Sequence, residues 1–97
     1  MTPKTYKVTR AGTFDVDVTR LSEKVWRLDE FIKGIKDTLT RNPEWGKSTK
    51  HKYMRALKMK ELAGNPSPTV YYFYTRAEVV LLYLRLEGEA LPPPMIL

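Results

Sequence analysis

Seven basic side chains crowd residues 41–60: Arg41, Lys47, Lys50, Lys52, Arg55, Lys58 and Lys60, against the single acid Glu44. The excess of six equals the net charge of the whole chain, because ten basic residues elsewhere are matched by ten acidic ones. Charge concentrated in this way is the footprint of a contact with a phosphate backbone. The plainer reading is that lysines on a loop and an edge strand keep the chain soluble and block strand pairing. The even balance elsewhere favours the phosphate contact.

The aromatic residues come next. Tyr53, Tyr71, Tyr72, Tyr74 and Tyr83 fall in stretches that favour β structure, where tyrosine is mostly a core filler with a polar tip. Some can stack on bases instead. Tyr83 is the first candidate, Tyr71 joins it if the two share a side, and Arg85 reaches the same surface as Tyr83. The one histidine, His51, sits between Lys50 and Lys52 and reads as a solvated residue rather than a catalyst. Carboxylates are scattered, cysteine is absent and no histidine cluster exists, so neither a metal site nor a cofactor is expected. Gly46-Lys47-Ser48 resembles only the end of a phosphate loop. Trp26 is expected in the core, and Trp45 is expected to pin its loop to the domain, with base stacking as its other possible role.

The frame that must position these groups is Thr69–Leu86. Two β-forming runs, Thr69–Tyr74 and Glu78–Leu86, are separated only by Thr75-Arg76-Ala77, so they are expected to pair as an antiparallel hairpin. Alternation sends Val70, Tyr72 and Tyr74 to one face of the first strand and Tyr71 and Phe73 to the other. On the second strand, strict alternation groups Val80, Leu82, Leu84 and Leu86 against Val79, Leu81, Tyr83 and Arg85. The first set is purely apolar and is expected to lie under a helix. The second is expected to form a half-exposed working surface.

Upstream, Tyr6–Thr9 reads as a short strand ended by Ala11-Gly12. Phe14, Val18, Leu21, Val25, Leu28, Ile32, Ile35 and Leu39 then follow steps of four and three, the stripe of an amphipathic helix. Thr13 is the expected N-cap, with Asp15 and Asp17 suited to the positive end of the helix dipole. The β-branched Val16, Val18 and Thr19 argue locally for strand, but the period over eight positions outweighs them. A continuous helix from Thr13 to Thr40 would run about 40 Å, so a break near Ser22-Glu23-Lys24 and a helical hairpin are expected, with a single bent helix as the other form. Asn42-Pro43 ends the second helix. Tyr53–Leu62 reads as a strand, or as a short helix, and a turn over Ala63–Pro68 leads into the hairpin. The expected class is α+β, in the order β-α-α-β-β-β: a twisted antiparallel sheet of about four strands with an N-terminal helical hairpin on one face.

Ninety-seven residues with 42% apolar side chains are enough for one modest core, taken as a single domain over residues 1–90 with a Pro-rich apolar tail over 91–97. No apolar run is long enough for a membrane span, and the polar N-terminus does not read as a signal peptide. A soluble, cytoplasmic protein is expected.

The order of elements resembles a known family. A first strand, the helical start Phe14-Asp15-Val16-Asp17-Val18-Thr19-Arg20-Leu21, a second helix closing on Asn42-Pro43, and the run YYFYTRAEVVLLYL are similar to the RelE-type toxins of bacterial toxin–antitoxin pairs. The similarity spans about Tyr6–Leu86 and is one of pattern. It implies a basic endoribonuclease that enters the ribosomal A site and cuts mRNA without a metal, by attack of the ribose 2′-hydroxyl on the adjacent phosphate. A cognate antitoxin is implied as partner. Carried to matching positions, Lys58 and Lys60 would hold the phosphate and one lysine would serve as base. Arg85 would stabilise the developing charge, and Tyr83 or Tyr71 would stack the base. Lys47, Lys50, Lys52, Arg55 and Arg76 would bind the RNA around them.

The chain departs from family patterns in having no Arg between Thr69 and Tyr74 and no His- or Tyr-rich ending after Arg85. A second branch of the same fold, the ParE type, inhibits DNA gyrase without cutting RNA and is the alternative. A third reading is an accessory protein that docks through Met95-Ile96-Leu97. The RNA reading requires the lysine-rich segment to lie on the same side of the sheet as Tyr83 and Arg85, around a positively charged hollow.

Overall fold

The structure, a computed structural model, describes residues 5–25, 27–49, 53–58 and 68–86. Lys50, His51, Lys52, Lys60, Trp26, most of the turn expected over 63–68 and the tail at 91–97 lie outside the described residues. The described chain runs β1 (Lys7–Arg10), α1 (Gly12–Leu21), α2 (Leu28–Arg41), β2 (Lys47–Ser48), β3 (Arg55–Lys58), β4 (Pro68–Tyr74) and β5 (Glu78–Leu86). The fold is α+β: two helices with one five-stranded mixed sheet in the order β1-β5-β4-β3-β2. No described helix is long and apolar enough to cross a membrane.

The helical stripe behaves as its period predicts. Phe14, Leu21, Val25, Leu28, Ile32, Ile35 and Leu39 are buried, joined by Phe31, and Val18 packs at the margin. They meet Leu57, Val70, Tyr72, Val79, Leu81 and Leu84 from the sheet in a single core. The break between helices falls at residues 22–27, where Arg27 adopts a left-handed conformation (φ 60°) immediately before α2. Thr13 does not cap α1. Ala11 holds the N-cap position with no side-chain bond, and the Thr13 hydroxyl donates instead to the Leu82 carbonyl at 2.6 Å.

The hairpin of β4 and β5 forms as expected, closed by a turn in which the Thr75 N–H donates to the Glu78 carbonyl at 2.8 Å. Two expectations about the sheet need correction. First, the sheet is not wholly antiparallel. β1 pairs with β5 in parallel, Lys7 beside Glu78 through Arg10 beside Leu81. No tight turn links these strands; two helices and three strands intervene, so the connection leaves the direction of pairing open.

The second correction concerns the faces of β5. Tyr71 pairs with Tyr83 but Tyr72 pairs with Leu81, so Leu82 is an extra residue in a β-bulge. The helix-covered face therefore takes Val79, Leu81 and Leu84, each fully buried, and not the expected series Val80, Leu82, Leu84 and Leu86. One inserted residue shifts the alternation by one, so strict counting fails beyond it. Tyr83 and Arg85 remain on the face away from the helices, while Val79 and Leu81, expected to share it with them, lie in the core.

Parallel pairing covers only the first half of β5, and α1 seals the edge of the rest. The Ala11 N–H donates to the Leu81 carbonyl at 2.9 Å, and Thr13 to that of Leu82. The Leu84 N–H donates to the Asp17 carboxylate at 2.9 Å, and Arg20 donates to the Leu84 carbonyl at 3.4 Å. Thr13, Asp17 and Arg20 follow steps of four and three, a polar stripe beside the apolar one. A helix thus supplies side-chain partners to strand groups that would otherwise be an open edge.

Candidate nucleic-acid interface

Of the seven expected site residues that the structure describes, the register across the sheet brings five, Lys47, Lys58, Tyr71, Tyr83 and Arg85, onto the far face, away from the helices. Lys58 pairs with Thr69, and Thr69 with Arg85, giving one row across β3, β4 and β5. The adjacent row runs Lys47, Ala56, Tyr71 and Tyr83 across β2 to β5. Side chains two residues apart on a strand share a face, so the two rows lie side by side. Lys58 and Arg85 are two strand spacings apart, about 10 Å. Lys47 and Lys58 are exposed, whereas Tyr71, Tyr83 and Arg85 are half-buried. Phe73, paired with Val80, continues the apolar surface towards the turn.

Arg85 is held from two sides. Its guanidinium lies 5.7 Å from the centroid of the Tyr83 ring, within cation–π range. It also lies 3.6 Å from the Asp17 carboxylate, which Arg20 approaches at 3.5 Å. The Arg85 side chain is 17% exposed, and its Nε is buried without a hydrogen-bond partner among the described residues. An unpaired buried N–H is a cost the fold bears at this position. Asp17 was legible only as a helix-dipole residue. Its role depends on α1 lying along the edge of β5, which spacing within α1 does not reveal.

Two candidates sit elsewhere. Arg55 pairs with Tyr72 and faces the helix side; it donates to the Gly46 carbonyl at 2.6 Å and lies 5.7 Å from the centre of the Tyr74 ring. Its guanidinium ties the 42–47 loop to the sheet. Arg76 is exposed in the turn after β4, about 20 Å along the strands from Arg85 by the usual rise per residue. Neither joins the Lys58–Arg85 row.

The 42–47 loop is anchored by a residue the sequence did not single out. The Tyr72 hydroxyl is buried, donates to the Pro43 carbonyl at 2.5 Å and accepts from the Gly46 N–H at 2.9 Å. Burial pushes its pKa above the usual tyrosine value, against opposing effects of the Gly46 hydrogen bond and the Arg55 charge. A Cβ on Gly46 would meet the Tyr72 hydroxyl at 2.6 Å, so only glycine lets the loop approach this closely. Trp45, expected to pin this loop, is 63% exposed. Tyr72 does that work from inside the core.

Among the described residues no group of three His, Cys, Asp or Glu side chains could hold a metal ion. What the far face offers is cationic side chains next to aromatic rings. Compared with models of known protein families and with curated proteins, the chain matches none.

Proposed function

We propose that the far face of the sheet binds single-stranded RNA and that the chain is a RelE-type endoribonuclease toxin acting on mRNA at the ribosome. The observation that carries this reading is the register: Lys58, Thr69 and Arg85 in one row, beside Lys47, Tyr71 and Tyr83 in the next. Lysine and arginine meet the phosphates, and tyrosine rings offer faces to the bases.

In the proposed reaction a lysine, Lys58 or Lys60, takes the proton of the ribose 2′-hydroxyl. The 2′-oxygen bonds to the adjacent phosphorus, the bond to the 5′-oxygen breaks, and that oxygen takes up a proton. The products are a 2′,3′-cyclic phosphate and a 5′-hydroxyl end. Arg85 stabilises the charge that builds on the phosphate, and Tyr83 with Tyr71 holds the base by stacking. A cognate antitoxin would act by covering this face. The test is to incubate purified protein with ribosome-bound mRNA and map the new 5′ ends. Fragments with 5′-hydroxyl ends, lost in Lys58→Ala and Arg85→Ala, are expected; uncut mRNA with the parent chain would refute catalysis.

A second reading is a non-catalytic binder of RNA or, as in the ParE type, of gyrase. It is favoured by the pairing of Arg85 with Asp17, which offsets part of the charge a transition state would need. This reading predicts retained RNA affinity, or a supercoiling defect, without fragments.

A further inference from the structure

Among the described residues Asp17 is the one charged residue that the fold buries, at 4% exposure. A buried carboxylate needs hydrogen bonds and opposite charge around it. Through one oxygen it accepts the Leu84 N–H at 2.9 Å; the other stands 3.5 Å from Arg20 and 3.6 Å from Arg85. Two guanidinium groups thus share one oxygen, and both distances are long beside the roughly 2.7–2.9 Å of a charge-assisted hydrogen bond. Arg20 also donates to the Leu84 carbonyl at 3.4 Å, whereas the Arg85 Nε is buried without a partner among the described residues.

These contacts leave Arg85 two positions of similar standing. In the docked position it keeps the ion contact with Asp17 and the Tyr83 ring, 5.7 Å away, but its Nε–H is orphaned. Swung out over the far face, the Nε–H gains an acceptor in water or on a phosphate. Asp17 is not stranded by that movement, because it keeps the Leu84 N–H and Arg20. Neither position satisfies every group, so a ligand that binds one of them better shifts the balance.

We propose that Asp17 is a positioning residue that holds Arg85 in reserve, docked against Tyr83, until an RNA phosphate draws the guanidinium into the row of Thr69 and Lys58. The inference rests on the RNA-binding reading of the far face and adds to it what regulates the site. The carboxylate is an internal competitor for the phosphate, since both are anions and Arg85 is one cation. Affinity is reduced by the fraction of chains in which Arg85 is docked away from the ligand. The same movement uncovers the Tyr83 ring, over which the docked guanidinium lies, so a base can take its place.

The test is titration of the full chain with a labelled oligouridylate of about twelve nucleotides, read by fluorescence anisotropy. Asp17→Asn keeps an oxygen for Leu84 and removes the competing charge. It is expected to bind about 2- to 10-fold more tightly, the range of a partly buried ion pair. In an Arg85→Ala background the same substitution is expected to change nothing, which separates release of Arg85 from a general gain of positive charge. A second readout needs only the wild type: the Arg85 Nε–H resonance in nitrogen-15 NMR is expected to move when the oligonucleotide saturates the protein. The proposal is overturned if Asp17→Asn binds no more tightly, if its gain persists in the Arg85→Ala background, or if that resonance stays in place at saturation. In each of these cases weaker binding by Lys58→Ala would leave the RNA reading standing. If the wild type does not bind the oligonucleotide at all, both fall together.

Discussion

The carboxylate of Asp17 accepts the backbone N–H of Leu84 at 2.9 Å, and its other oxygen lies 3.6 Å from the guanidinium of the next residue, Arg85. One buried acid on α1 thus closes the sheet edge and restrains an arginine of the far face. Asp17→Ala leaves the Leu84 N–H without its acceptor and removes the carboxylate that Arg20 and Arg85 share, and is expected to cost about 2–3 kcal/mol. Asp17→Asn keeps an oxygen for Leu84 and is expected to cost less, about 1 kcal/mol. Urea denaturation of the two variants measures the difference; equal losses would show that charge matters more than the hydrogen bond.

The anchor under the 42–47 loop makes a separate prediction. Tyr72→Phe strands the Pro43 carbonyl and the Gly46 N–H, at a cost of about 1–3 kcal/mol. Gly46→Ala forces a clash with the immobile Tyr72 ring and is expected to cost a similar 1–3 kcal/mol or so by overpacking. Both should be read by thermal or urea unfolding.

Tyr72 also fixes a sign for alkaline behaviour. Its folded pKa is raised, chiefly by burial, so the folded state holds the proton more tightly than the unfolded one. Stability from this group is complete below the unfolded tyrosine value near 10 and is lost as the pH climbs above it, through the folded pKa. Unfolding free energy measured from neutral pH upward should fall more steeply in the wild type than in Tyr72→Phe.

Placement of the basic residues separates binding from stability. Lys47→Ala and Lys58→Ala should weaken RNA binding and flatten its salt dependence by about 0.7 in log–log slope for each phosphate left without its cation. Arg55→Ala should do the reverse. It releases the Gly46 carbonyl and lowers stability, with little change in salt slope. Arg76→Ala, at the far end of the hairpin, should change neither much. An Arg55 variant that bound RNA with a flattened salt dependence while keeping its melting temperature would contradict this assignment.

Arg27 stands in left-handed conformation at the entrance to α2, with its side chain paired to Glu30. A non-glycine residue there bears about 1–2 kcal/mol of strain. Arg27→Gly relieves it but loosens the unfolded chain and removes the ion pair, so a net change within about 1 kcal/mol is expected. Arg27→Val, with a branched Cβ, should be clearly destabilising. Melting temperatures of the two variants distinguish the cases.

Several features could be read from residue order alone because they depend on local period and turn length. The stripe from Phe14 to Leu39 committed its residues to one core. Three residues between Tyr74 and Glu78 left the two long strands no arrangement but a hairpin. The basic window was visible as a count. Alternation also separated Tyr71 from Tyr72 correctly, since nothing interrupts β4 between them. Other decisions required contacts between segments distant in sequence. The unpaired Leu82 moved Val79 and Leu81 into the core yet left Tyr83 and Arg85 outside, because the bulge is a property of two paired strands. β1 lies beside β5 in parallel, a direction that residue order left open because two helices and three strands separate them and no turn dictates it. Arg55 was drawn to the Gly46 carbonyl, and the 42–47 loop was anchored by the Tyr72 hydroxyl while Trp45 stayed in solvent. Short-range chemistry chose the elements; the pairing of distant strands chose which side chains face outward together.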